Sequence, residues 1–268
     1  MHTQDNTLVE NCVNTGLINP TTTSACGIAY EVGGMMRNCV NKGTFKCTGT
    51  AVGVAYSVLK TGKLEGCGNE ADIDLGETAG TVSGVVLNTT AWAATDGVEP
   101  AATSWLKNCY NTGNLSGKTA ITGIASSLKS GVLMEGCYNT GNISALVSYN
   151  AFGLVQTITG NAKALTEDQP YTVMNNCWNS GKITAKPGAT AAIGGLAKTC
   201  SKGFLMDNCY NLGDVILDGR TTASGQICVA AGLINQISGG LITNCWNAGK
   251  IYAMGPSVGG LAGKAQVA

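Results

Sequence analysis

The chain has 268 residues, with 16 Lys plus Arg against 16 Asp plus Glu, and only 12% of its residues are charged. That balance leaves no basic excess for nucleic acid and no polybasic run for an anionic membrane surface. Its 38 glycines follow no G-X-Y period, which excludes collagen, and 44% apolar content argues for a packed chain over a disordered one.

The opening residues Met1-His2-Thr3-Gln4-Asp5 are polar and carry no apolar segment of signal-peptide type. No apolar run reaches the roughly 18 residues that a membrane span needs. The first element is a short phrase around Cys12, and it recurs eight times, at Cys12, Cys39, Cys67, Cys109, Cys137, Cys177, Cys209 and Cys245. Two residues later stand Asn14, Asn41, Asn69, Asn111, Asn139, Asn179, Asn211 and Asn247, without exception. Four residues later stand Gly16, Gly43, Gly113, Gly141, Gly181, Gly213 and Gly249, with Ala71 in the third copy. Six residues later the chain is apolar: Ile18, Phe45, Ile73, Leu115, Ile143, Ile183, Val215 and Ile251.

Each position has a physical reading. Before the Cys stands Asn or Gly in every copy (Asn11, Asn38, Gly66, Asn108, Gly136, Asn176, Asn208, Asn244). These two residues share tolerance of positive φ, which predicts a left-handed corner. The Gly four residues after the Cys is read as a second such corner. Three residues before the Cys the chain is apolar, as at Met36, Leu106 and Met206, and is expected to face inward. Two residues before it the side chain is polar, as at Arg37, Lys107 and Glu135, and is expected to face water. After the second corner comes period-2 alternation, as in Gly181-Lys182-Ile183-Thr184-Ala185, which predicts a short half-buried strand.

A second phrase alternates with the first. It is Gly followed by two apolar residues, as in Gly27-Ile28-Ala29, Gly123-Ile124-Ala125 and Gly232-Leu233-Ile234. Two long repeats carry extra residues at 87–105 and 156–173, expected to form surface loops or small hairpins. Neither end of the chain shows an obvious polar cap, so residues 1–268 are read as one array excerpted from a longer one.

A unit of about three short strands cannot bury its apolar side alone, and stacking such units buries a continuous core. The sequence therefore predicts an all-β, parallel β-solenoid of about eight coils, with right-handed winding favoured by the crossover rule. Rungs at roughly 4.8 Å would make a rod of roughly 40 Å. Asn side chains stacked in register are expected to hydrogen-bond as an amide ladder.

The eight phrase cysteines would then share one column. Their Cα spacing of about 4.8 Å permits a disulfide, but their parallel Cβ vectors give poor S–S geometry. Buried, reduced thiols are expected, with burial also for Cys47, while Cys26, Cys200 and Cys228 stay open. Zinc is a poor reading, since there is no C-x-x-C and the single His is His2. Nucleophilic Cys catalysis lacks an interior base for the same reason. Asp72 and Asp74 stand about four coils from Asp214 and Asp218, whereas paired-carboxylate hydrolysis needs two groups within roughly 10 Å. No catalytic residue, metal or cofactor is expected.

One column varies informatively. After the Cys come Val13, Val40 and Gly68, then Tyr110, Tyr138, Trp178, Tyr210 and Trp246. Facing outward, these five aromatics are candidate ligand contacts for stacking glycans or docking a protein. The competing reading is an aromatic ladder that covers a corner of the coil.

Stretches such as Gly260-Leu261-Ala262-Gly263, taken with "NCYNTGNLSG" at 108–117, resemble the GLUG-motif repeats of bacterial surface proteins. These include adhesin-like proteins and the non-catalytic regions of IgA-specific peptidases. The resemblance covers nearly the whole chain, although most copies of the Gly phrase keep only its first Gly, as in "GLAK" at 195–198. It implies an extracellular or cell-surface location and no enzyme activity in the repeats. The implied function is a structural or adhesive module, a rod that displays loops or spaces a functional head. The alternatives are the repeat region of a large immunoglobulin-cleaving protease and a glycan-binding solenoid. Partners to expect are a host glycoprotein, a glycan or another surface protein, with no nucleic acid and no membrane insertion by this segment.

Overall fold

A computed structural model describes residues 2–3, 6–20, 24–77, 80–91, 104–147, 150–161, 172–186, 191–220, 229–254 and 257–265. Among them there are strands and no helix. The strands form five parallel sheets, here I to V in the order the chain visits them. One coil shows the path: Ala125–Leu128 in sheet I, Leu133–Glu135 in sheet II, Tyr138–Asn139 in sheet III, Ile143–Ala145 in sheet IV and Asn150–Phe152 in sheet V. Sheet I has nine strands, sheets II, III and V have eight, and sheet IV has six plus an isolated bridge between Ile18 and Phe45. The fold is a parallel β-solenoid.

Five strands per coil replace the three read from the sequence. Sheet III contributes only two residues per coil, such as Tyr110–Asn111, too few to show alternation. The two long inserts are also shorter than their sequence suggests. Leu87–Thr89 completes a sheet I strand and Trp105 opens a sheet II strand. Likewise 156–158 belongs to Val155–Ile158, and 172–173 to Thr172–Asn175. The middles of both inserts lie outside the described residues.

Register puts the repeated residues on top of one another. Asn69 pairs with Asn41 and Asn111, and Leu106 pairs with Leu64 and Met134. The corner before each Cys is left-handed as expected, with φ of 49–55° at Asn11, Asn38, Asn108, Asn176, Asn208 and Asn244, and 61–62° at Gly66 and Gly136. The Gly four residues later is not a second left-handed corner, because none of these glycines has positive φ. Clearance is what requires it at Gly43, Gly113, Gly141, Gly181, Gly213 and Gly249. A Cβ on Gly141 would lie 1.9 Å from the Gly113 carbonyl oxygen, and one on Gly181 2.0 Å from that of Gly141.

The interior has two cores. One lies between sheets I and II and contains Met36, Leu64, Leu106, Met134 and the buried phrase cysteines. The other lies between sheets IV and V and contains Ile73, Leu115, Ile143, Ile183 and Val215. The Asn column of sheet III separates them where it meets the glycines at the corner from sheet V to sheet I. A Cβ on Gly53, Gly84, Gly123, Gly153 or Gly195 would come within 2.8 Å of Asn69, Asn111, Asn139, Asn179 or Asn211, respectively. The two sequence phrases thus pack against each other at the waist of every such coil.

Candidate functional site

The phrase side chains divide into columns, and each column can be followed up the rod. The buried Asn column is a continuous ladder. Nδ2 donates to the next Oδ1 from Asn14 to Asn41, Asn69, Asn111, Asn139, Asn179, Asn211 and Asn247, at 2.7–2.9 Å throughout. The second Nδ2 hydrogen goes to a carbonyl at the following corner, such as Gly141 O for Asn139 at 2.8 Å. An amide supplies both donors and the acceptor at a buried position, which no apolar residue can do.

The Cys column lies at the corner between sheets II and III. Cys39, Cys67, Cys109, Cys137, Cys177 and Cys209 are fully buried, Cys245 is half-buried and Cys12 is exposed. All are free thiols, as are Cys26, Cys47 and Cys200. Cys47 is half-buried against the sheet IV core, Cys26 is half-buried and Cys200 is buried. Cys228 lies outside the described residues. Each phrase thiol donates to a carbonyl of its own coil, as from Cys109 to Lys107 O at 3.4 Å. Most also reach the coil before, as from Cys137 to Leu106 O at 3.4 Å. Burial pushes the thiols of Cys67, Cys109, Cys137 and Cys177 well above the ordinary range. At these four positions the thiol stays neutral and packs as a small hydrophobe, whereas hydrogen bonds from Cys177 and Cys245 shift the Cys209 thiol down.

The acidic residues also serve the stacking. Asp72 Oδ1 accepts from the backbone N–H of Asn114 at 2.7 Å and its Nδ2 at 3.1 Å. Asp74 accepts from Ser116 and from Gly76 N, and these hydrogen bonds lower its pKa. Asp214 accepts from Lys250 N at 2.9 Å. On sheet II, Arg37 lies between Glu10 and Glu65 at 3.9 and 3.0 Å, and Lys107 meets Glu135 at 3.0 Å. Among the described residues no three His, Cys, Asp or Glu side chains gather to hold a metal ion. The side chains of His2, Asp218 and Arg220 lie outside the described residues.

The aromatic column is the strongest candidate for contact with another molecule, and its geometry restricts what it can do. Tyr110, Tyr138, Trp178 and Tyr210 are half-buried, and Trp246 is 45% exposed. Successive ring centroids lie 5.6, 4.8, 6.1 and 4.7 Å apart, with interplanar angles of 4–12°. The inner rings therefore cover each other's faces. Tyr110 lies over Gly68, where a Cβ would come within 2.3 Å of Tyr110 Cζ, and its hydroxyl donates to Glu70 at 3.1 Å. Burial, then the Glu70 carboxylate, pushes the Tyr110 phenol up to about 12. A sugar stacks on an aromatic face, and four of these five rings offer only edges. The arrangement is a ladder built from the rings' own stacking, with Trp246 at its outer end.

A feature that sequence reading missed is the outer face of sheet IV. There Ser144, Leu146, Lys182, Thr184, Lys186 and Ile216 line a groove of about 280 Å³. The alternation around Thr184 signals an outward face. Only register shows that Leu146 and Ile216 flank it from neighbouring coils. No family model, curated protein or solved structure matches this chain.

Proposed function

We propose that this chain is a non-catalytic structural and adhesive rod module of a bacterial cell-surface or secreted protein. It displays loops or spaces a functional head from its anchor. One observation carries the reading: the repeated polar, aromatic and thiol side chains bond or stack with the next coil. The Asn ladder runs from Asn14 to Asn247, and the aromatic ladder spends ring faces that a binding stripe would leave open. Side chains committed in this way make a stiff, regular support, and specificity is left to the faces between the columns.

Labelling tests the location and a mechanical measurement tests the rod. Antibodies raised against the folded chain are expected to label intact cells of the source organism. Labelling only after permeabilisation would overturn the surface reading. Pulled from its two ends, the chain is expected to yield in successive steps as coils peel away. A single low-force transition would rule out a load-bearing spacer.

A further inference from the structure

The groove on sheet IV has the chemistry of a binding site. Thr184 belongs to the strand Ile183–Ala185, and Lys182 and Lys186 flank that strand on the same outward face. In β geometry, positions four apart lie about 13 Å from each other, so the two lysines stand at either side of the groove. Both are exposed, and neither amine has a carboxylate within 4 Å among the described residues. Asp214 is the rung beside Lys182, where its Oδ1 accepts from Lys250 N at 2.9 Å, and Asp218 is the rung beside Lys186, with its side chain outside the described residues. Between the lysines, Ser144 and Thr184 hydroxyls meet at 2.9 Å. Leu146 and Ile216 add apolar surface from the coils on either side.

We propose that this groove binds an anionic polysaccharide, a sugar chain bearing carboxylate or sulfate groups. The two ammonium groups take its charges. The Ser144 and Thr184 hydroxyls meet its hydroxyls, and Leu146 and Ile216 pack against the C–H face of a ring. A peptide fits less well. The strand Ile183–Ala185 is paired on both sides, with Ile143–Ala145 and with Val215–Leu217, so it has no free backbone edge to offer. The proposal rests on reading the rod as a display module. A rod that labels at the surface yet ignores such polymers would leave that reading standing and remove this one.

Affinity electrophoresis of the whole chain through polygalacturonate, dextran sulfate and neutral dextran provides the test. Retardation by at least one anionic polymer and none by dextran is expected, and which of them acts distinguishes carboxylate from sulfate recognition. The K182Q/K186Q double variant should weaken retardation at least tenfold, and T184V should weaken it with both charges in place. K63Q, on sheet II, and W246A should leave it unchanged. Circular dichroism checks that each variant is folded. The proposal is overturned if neither anionic polymer retards the chain, or if retardation survives the double variant or T184V. Equal retardation by poly-glutamate would also overturn it, since charge alone would then explain binding.

Discussion

Gly123 packs directly against Asn139: a Cβ at position 123 would lie 2.7 Å from Asn139 Cβ and 2.0 Å from the Gly153 carbonyl oxygen. This contact explains why two phrases alternate along the chain. One supplies a bare backbone corner, and the other supplies the amide that stacks against it. The same contact recurs although the partners are far closer in sequence at Gly27 and Asn41 than at Gly84 and Asn111. Spacing can vary because the lengthening falls away from the waist.

The glycine corner should not tolerate a methyl group. Gly123→Ala is expected to destabilise the chain by about 3 kcal/mol, since neither the carbonyl nor the buried amide can move away. Gly76→Ala is the control. Gly76 has φ of +58° but nothing within 4 Å of its Cβ position, so only the left-handed penalty of about 1 kcal/mol applies. Denaturant midpoints of the two variants should separate clearance from conformation.

Removing one rung of the ladder should cost more inside than at its end. Asn139→Ala leaves Asn111 without an acceptor and Asn179 without a donor, both fully buried. About 3 kcal/mol is expected for two such groups. Asn14→Ala, at a half-buried rung with one ladder neighbour, should cost about 1 kcal/mol. Equal losses in urea unfolding would argue against a buried ladder.

Trp178 stacks on Tyr138 at 4.8 Å and Tyr210 at 6.1 Å. Trp178→Ala should lower stability by about 2 kcal/mol through two lost stacking contacts. It should leave retardation by anionic polymers unchanged. A variant that kept its stability and lost binding would make the column a recognition stripe.

The Tyr110 phenol should titrate at about 12, above the ordinary value of about 10. The folded pKa is raised, so the stabilising effect of the neutral phenol is fully present below pH 10 and is lost as pH rises through 12. Ultraviolet titration of the native chain, compared with Glu70→Gln, is the measurement. The variant should titrate lower, because the neutral amide no longer repels the phenolate.

Parts of this structure were legible in the sequence for physical reasons. Asn108 read as a left-handed corner because Gly66 and Gly136 replace it in other copies, and only conformation unites those residues. Leu106 and Ile143 read as inward-facing because their positions are apolar in every copy. Gly141 was misread because glycine serves two ends, positive φ and close approach, and the letter does not say which. The meeting of Gly123 and Asn139 was hidden because it joins two phrases at a variable distance. The sheet IV groove was hidden because Leu146, Thr184 and Ile216 come from three coils and meet only through register.

The central claim is that successive phrases stack in register, one rung per copy. In sheet III, six rungs separate Val40–Asn41 from Trp246–Asn247. Spin-labelled unnatural amino acids at the exposed neighbouring positions Lys42 and Ala248 would measure that separation directly by pulsed dipolar spectroscopy. Stacking in register predicts one narrow distance near 29 Å, six steps of about 4.8 Å. A broad distribution, or a distance tens of ångströms longer, would contradict it.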